Sequence, residues 1–461
     1  MTVAPNSLHA RDIAYTVHPY TNLRQHEEQG PLVITGGDGV YVIDDDGKRY
    51  IEGLAGLWCT ALGFSDKRLA EAARKQMEKL PYTHSFTHRS SEPMIELAEK
   101  LAEIAPPPIT RAYFVNSGSE AIDSAIKLIW YYNNARGLPE KKKIIARKRG
   151  YHGITLAAGH LTASLAYTAN GFDLPMMDRF RHVTAPSFYR DGLPGETEAE
   201  FVDRLAKELE DLILAEGPET VAGFFAEPVQ GAGGVIVPPP GYFAKVQAIL
   251  KKYDIVFVAD EVICGFGRTG NWWGCNTFDL QPDLVTCAKQ LSSAYLPIAA
   301  LLMSDAFYQV LADQSAKLNT LGMGYTYGAH PVAAAVAVET LRIYEQDGML
   351  AHAREVAPHF QRRVKRLGEH PLVGEARGVG LIAGIELVSN KATKEQFDPT
   401  LKANAQVVAK CLAHGLILRA LPGDAIGICP PMIITPAEID LLFDRLESGL
   451  DDSLGAMPLA A

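Results

Sequence analysis

The chain has 461 residues, 47% of them hydrophobic and 21% charged, which suffices for a large domain plus a smaller one in an ordinary globular protein. Lys and Arg number 44 against 54 Asp and Glu, a formal charge of −10 that argues against a nucleic acid as the main partner and leaves small metabolites as the natural ligands. The six cysteines, at 59, 264, 275, 287, 411 and 429, show neither CxxC spacing nor a Cys/His cluster of zinc type, so reduced core thiols are expected and a metal site is not.

Residues 1–15 lack both a basic stretch ahead of an apolar run and an Arg- and Ser-rich pattern, so no targeting segment is expected. The longest mostly apolar stretch, residues 296–303, is far short of a membrane span. A cytoplasmic enzyme without a membrane partner fits both. Residues 1–35 read as an irregular arm, with an ordered turn at His18-Pro19-Tyr20-Thr21-Asn22. Val40-Tyr41-Val42-Ile43 reads as a strand leading into a hairpin turn.

From about residue 70 to 330, short apolar runs alternate with helical patterns, the βαβ signature of an α/β fold with a mostly parallel sheet. Four runs, residues 112–115, 221–226, 255–259 and 284–288, are nearly all apolar, as strands covered on both faces are. Each stops at a polar residue: Asn116, Glu227, Asp260 and Lys289. Ligands of open α/β sheets sit beyond the carboxyl ends of the strands, so these four side chains are candidates for one site. Beyond Pro331 the pattern changes to helices over 331–347 and 350–367, a strand over 380–388, and a closing amphipathic helix marked by Ile439, Leu442, Phe443, Leu446 and Leu450. The division expected is an N-terminal segment, 1–69, joining a small α+β domain at 331–461, with the large domain at 70–330.

Asn116-Ser117-Gly118-Ser119-Glu120-Ala121 stands between a strand and a helix whose apolar face is Ile122, Ala125, Ile126, Ile129 and Trp130. Small residues at a helix start suit a phosphate, and they suit an ordinary serine cap equally well. An acid at a strand end such as Asp260 can hold a pyridinium nitrogen protonated, ligate a metal or serve as a Walker-B acid. No histidines support the metal, and no GxxxxGK[ST] loop supports the last. Gly265-Phe266-Gly267-Arg268-Thr269-Gly270 matches GxGxxG in form, but it follows no strand directly and opens no helical pattern, so it is a glycine-rich turn. Lys289, behind an apolar run, is placed either as a surface amine or as a desolvated nucleophile of lowered pKa.

Together with Tyr151-His152-Gly153 and Glu227-Pro228-Val229-Gln230-Gly231-Ala232-Gly233-Gly234, these segments resemble, in order and spacing, the class III aminotransferases that use pyridoxal phosphate (PLP). The likeness spans residues 36–450. It implies the PLP-dependent transferase fold type I. It implies Lys289 as Schiff-base lysine and proton shuttle, and Asp260 as partner of the pyridine nitrogen. Val262 and Tyr151 would flank the ring, and Ser117, Gly118 and Ser119 would cradle the phosphate. His152 and Glu227 would stand close to the cofactor. Tyr325-Thr326 resembles the pair given to the neighbouring subunit's cofactor phosphate, which implies a homodimer with shared sites; a tetramer is compatible.

Within the family, Leu57, Trp58, Phe86, residues 288–297 and Arg419 are similar to the branch acting on ω-amino acids or amines with pyruvate. Leu57, Trp58 and Phe86 would wall an amine's hydrocarbon part, and Arg419 would bind the acceptor's carboxylate. The implied reaction is ping-pong transfer from a primary amine to pyruvate or another 2-oxo acid. The rivals are a decarboxylating aminotransferase, an aminomutase and a non-catalytic PLP-binding protein. The chain departs from the family pattern at Gly322-Met323-Gly324, where a His-Gly pair is frequent, at Gly328-Ala329, and at Gln290 beside the lysine.

Overall fold

Short, wholly apolar strands are stable only where both faces are covered, and the central sheet follows that rule. Every residue of Val221–Ala226, Val256–Asp260 and Leu284–Cys287 is buried. The structure, a computed structural model, describes residues 4, 6–163, 172 and 178–459, so residues 1–3 and 5 of the arm lie outside the described residues. Among these, seven strands line up in the order Ile109–Val115, Ala299–Ser304, Leu284–Cys287, Val256–Asp260, Val221–Ala226, Lys143–Arg147 and Phe180–Val183. Only Ala299–Ser304 runs against its neighbours; the other strands share one direction. Successive side chains point to opposite faces, so Phe224 enters one apolar core and Phe225 the other.

The helix Gly118–Ala135 covers one face. Ser117 caps it by accepting the N–H of Glu120, and Ile122, Ala125, Ile126 and Ile129 are fully buried. Each large aliphatic side chain so buried contributes about 1.5–3 kcal/mol. Trp130 is half-buried and donates its indole N–H to the carbonyl of Lys142 at 2.9 Å.

Two smaller sheets flank this core. One joins Ile34–Asp38, Tyr41–Asp44 and Arg49–Glu52 to Leu416–Ile417, the last pairing parallel to Arg49–Glu52 through Leu416 and Ile51. Segments more than 360 residues apart in sequence thus share one sheet. The other is Val373–Val379, Ile382–Leu387, Ala425–Ile428 and Arg419–Leu421. The closing helix, Pro436–Leu454, starts at a Thr435/Glu438 capping box and buries Ile439, Leu442, Phe443, Leu446 and Leu450.

Three expectations need correction. The N-terminal arm contains two short helices, Leu8–Tyr15 and Leu23–Gln29, capped by Ser7 and Asn22; neither buries a residue, which is why periodicity missed them. The strand expected over 380–388 begins at Ile382, because Gly380, at φ +57°, makes the turn before it. A helix does follow the glycine-rich turn, but Gly274–Phe278 has five residues, too few to show a period. Arg268 of that turn is buried and donates to the carbonyls of Pro430 (2.6 Å) and Leu381 (3.3 Å), so the motif fastens this turn to segments more than 100 residues further along the chain. Among the described residues, no helix is long and apolar enough to cross a membrane.

Candidate active site

Strand register builds the centre of the site. Asp260 ends its strand opposite Thr286 of the neighbouring one, and the Thr286 hydroxyl donates to Asp260 Oδ1 at 3.2 Å. The Val262 N–H donates to the same oxygen at 3.2 Å, while His152 Nδ1 lies 2.8 Å from Oδ2. The carboxylate is almost fully buried, and no lysine or arginine pairs with it among the described residues.

Glu227, on the next strand over, accepts the N–H of Tyr151 on Oε1 (3.1 Å) and that of Gly231 on Oε2 (3.2 Å). Its carbonyl accepts from Arg147. Burial pushes its carboxyl above the usual range, opposed by the nearby His152. On the other side of Asp260, Lys289 follows Leu284–Cys287 after one residue, in the left-handed region at φ +47°. Such a conformation costs a non-glycine residue roughly 1–2 kcal/mol, and strain of this kind concentrates at functional sites. Lys289 keeps some solvent contact although its amine lies deep among protein atoms. Burial pushes its ammonium down from the ordinary lysine value, opposed by the nearby Cys59, Asp260 and Glu227.

The start of the helix Gly118–Ala135 forms the third side. Ser117 Oγ is taken up by the cap, and Glu120 folds back to accept both the N–H and the amide group of Asn116 at 2.7 and 2.9 Å. The first-turn N–H groups have no intrahelical partners. A Cβ on Gly118 would stand 3.3 Å from Val262, which sets the helix start against the loop behind Asp260. Ser119 Oγ accepts the N–H of Ile154 at 3.2 Å, and Gly153, at φ +124°, lies so close that a Cβ there would be 2.5 Å from Ser119 Oγ. Thus the Tyr151-His152-Gly153 turn, the helix start and three adjacent strand ends meet. Asn116 belongs to the helix start, two strands away from Lys289.

Beside this centre lies a cavity of about 1450 Å³, lined on one side by Leu57 and on another by Arg419. The Arg419 guanidinium stands 6.0 Å above the ring of Tyr20, whose hydroxyl is 3.3 Å from that of Tyr151. No carboxylate pairs with Arg419 among the described residues.

Residues 23–450 match the sequence family described as Aminotransferase class-III. The chain belongs to the class-III aminotransferases. It is 48% identical over 425 residues to gamma aminobutyrate transaminase 1, mitochondrial, of Solanum lycopersicum, covering 92% of this chain and 82% of that protein. The omega transaminase of Pseudomonas jessenii, solved in complex with PMP, superposes with a TM-score of 0.96 at 49% identity, covering 99% of this chain and all of the other. A structure described as a transaminase with L-ala superposes with a TM-score of 0.90 at 54% identity, covering 92% of this chain and 100% of that one. The fold is therefore PLP fold type I, the chemistry is transamination, and the cofactor is pyridoxal phosphate.

The residues of this class-III aminotransferase fit that cofactor. A deeply set amine, a buried carboxylate with no lysine or arginine ion pair among the described residues, and a helix start at a glycine packed on Val262 suit an imine, a ring nitrogen and a phosphate. The departures from the family pattern have local reasons. Gln290 is buried and donates to the carbonyl of Ile263 at 2.7 Å, so its longer side chain ties the lysine turn to the loop behind Asp260. At Gly328 a Cβ would lie 2.8 Å from the carbonyl of Phe114.

Not every expected residue reaches the cavity within one chain. Trp58, at φ +64°, is 2% exposed and sits in an apolar cluster with Leu54, Val229, Ile263 and Leu421. A Cβ on Gly427 would come within 2.8 Å of its ring. Gly427→Ala is therefore expected to cost about 1–3 kcal/mol by overpacking, read as a lowered thermal midpoint. Phe86 is 41% exposed and lies over Gly324, while the Tyr82 hydroxyl donates to the carbonyl of Thr326 at 2.8 Å. Phe86, Tyr325 and Thr326 thus form one surface unit away from Leu57 and Arg419 in the same chain. Tyr325 lies against the helix Gly118–Ala135, its hydroxyl accepting from Ser124 at 3.5 Å.

Sequence reasoning missed Thr286, Tyr20, Arg147 and Thr162, which accepts the N–H of His152 at 2.9 Å. Only Tyr20 carried a signal, the turn around Pro19. Thr286 is a polar residue within an apolar run, and strand register alone gives it a partner.

Proposed function

We propose that this aminotransferase takes the amino group of a primary amine or ω-amino acid and delivers it to pyruvate, as a homodimer. The observation that carries the reading is Arg419, unpaired with any carboxylate among the described residues, on the wall of a cavity otherwise largely apolar. A guanidinium there binds an acceptor's carboxylate through two hydrogen bonds, and the apolar wall around Leu57 takes an amine's hydrocarbon part. Relatives support both halves. Curated relatives are named for γ-aminobutyrate, an ω-amino acid, and one solved relative is described with L-alanine, the product expected from pyruvate. Variants of the Pseudomonas jessenii enzyme substituted at a tryptophan, a phenylalanine and an arginine were engineered for asymmetric synthesis of enantiopure bulky amines.

When bound, the cofactor supplies an electron sink for the substrate's carbanion. Asp260, oriented by Thr286 and His152, would hold the cofactor at its ring nitrogen. Lys289 would hold the cofactor through its amine, and the same amine, when free, would take up and return the proton at the substrate carbon. Glu227 positions the Tyr151 backbone, and Tyr151 with Val262 confines the ring. Gly118 and Ser119 seat the phosphate at the helix start. In the homodimer, Phe86 and the Tyr325-Thr326 pair of one subunit complete the site of the other; the exposure of Phe86 and of Tyr327 (61%) supports such a face. Six free thiols, five of them buried, fit a reducing compartment such as the cytoplasm.

A panel of amines with pyruvate and 2-oxoglutarate as competing acceptors tests the reading. Alanine is expected to form at least about tenfold faster than glutamate, and release of CO₂ or isomerisation of the donor would overturn transfer to pyruvate. Arg419→Ala is expected to raise the KM for pyruvate about 10- to 100-fold while changing that for an uncharged amine far less. Steady-state kinetics with each substrate varied in turn measures the split.

A further inference from the structure

The N-terminal arm holds a group of side chains that transamination does not use. Asp12 lies on the helix Leu8–Tyr15, His26 on the helix Leu23–Gln29, and His18 in the turn between them. Both imidazoles direct Nε2 at one oxygen, Asp12 Oδ2, at 2.7 Å from His18 and 3.0 Å from His26. The three potential ligand atoms all lie within 4.8 Å of one another, and the two rings are 4.1 Å apart, tilted by 40°. All three side chains are largely shielded, with exposures of 21% for Asp12, 29% for His18 and 10% for His26.

We propose that Asp12, His18 and His26 form a binding site for a divalent transition-metal ion of zinc type that fixes the arm's two helices to the turn lining the substrate cavity. Two imidazoles and one carboxylate are a donor set that suits zinc, cobalt or nickel rather than magnesium or calcium, which prefer all-oxygen sites. Zinc–ligand bonds of about 2.0–2.1 Å place tetrahedral ligand atoms roughly 3.3 Å apart, so the two imidazoles need to move only a few tenths of an ångström away from Asp12 Oδ2. Water takes the remaining position.

The arm has a structural need for such a tie. Neither of its helices buries a residue, so little apolar packing holds them together. His18, Pro19 and Tyr20 nevertheless form part of the cavity wall, and Tyr20 reaches both Tyr151 and Arg419. An ion joining both helices to the turn holds that wall in place. The ligands are 6 and 8 residues apart in sequence on three different elements, which is why no zinc-type spacing was visible.

The test uses the holoenzyme, freed of metal with a chelator, exchanged into metal-free buffer and titrated with zinc chloride by calorimetry without substrate. Asp12→Asn and His26→Gln are titrated beside it, each first checked for retained cofactor absorbance. The wild type is expected to take up one zinc per chain at this site, weakened at least about tenfold in each variant. Cobalt(II) is expected to give visible bands in the wild type that both variants lose. Zinc is also expected to slow proteolysis within the arm about tenfold in the wild type alone. Failure of the wild type to take up zinc, or equal uptake in all three proteins, would overturn the proposal and leave Asp12 a hydrogen-bond acceptor shared by two imidazoles. Because zinc uptake is read without substrate, this result is independent of the amine and acceptor assignment.

Discussion

Lys289→Ala is expected to lower amine-dependent alanine formation by at least about 10⁴-fold, because one residue performs two tasks that nothing nearby can take over. In the proposed mechanism its amine would anchor the cofactor, and the freed amine would carry the proton in each half-reaction. Among the described residues the other groups around it are Asp260, Glu227 and the thiols of Cys59 and Cys429; none is an amine. Burial already pushes the lysine toward its neutral, nucleophilic form. Alanine tolerates the local backbone about as well as lysine does, so the fold should survive; far-ultraviolet circular dichroism checks this. The purified variant is also expected to lose the visible absorption of lysine-bound cofactor. Survival of that absorption would show that another amine holds it.

The second large effect is expected from Asp260→Asn, which should reduce kcat/KM by about 10²- to 10⁴-fold. Asparagine keeps the size of the side chain and can still accept from Thr286 and from the Val262 N–H, the 3.2 Å contacts that orient it. What it removes is the negative charge. In the carboxylate, Oδ2 faces His152 and no lysine or arginine forms an ion pair with it among the described residues, which suits the proposed partner of a ring nitrogen. On the proposed assignment, losing that charge would weaken the cofactor as an electron sink. Stopped-flow measurement of the first half-reaction with an excess amine, set against cofactor retention on gel filtration, separates a chemical defect from simple cofactor loss. An unchanged half-reaction rate would remove Asp260 from its assigned role.

Much of the chemistry is written locally. A buried parallel strand must be apolar throughout, so the first polar residue after it stands out: Glu227, Asp260 and Lys289 were visible for that reason. Ser117 and the apolar face from Ile122 to Trp130 marked the helix start that meets them. The arm's two helices escaped notice because they lie on the surface and bury no side chain, so no periodic stripe was selected.

Other parts depended on chain segments that meet only on folding. Asp260 and Thr286 face each other because two strands pair in one register; a shift by one residue would have turned Thr286 away. Tyr20 reaches Tyr151 across 131 residues of sequence. Phe86 and Arg419, both assigned to a substrate pocket, lie apart within one chain because Phe86 packs on Gly324 while Arg419 rises from the strand beside Gly427. By itself the sequence determined which side chains end the buried strands, and hence the groups proposed to react, because burial of a parallel strand constrains residue type one position at a time. The tertiary structure decided how those groups are oriented and what walls surround them, because register and long-range packing are collective properties of segments far apart in the chain.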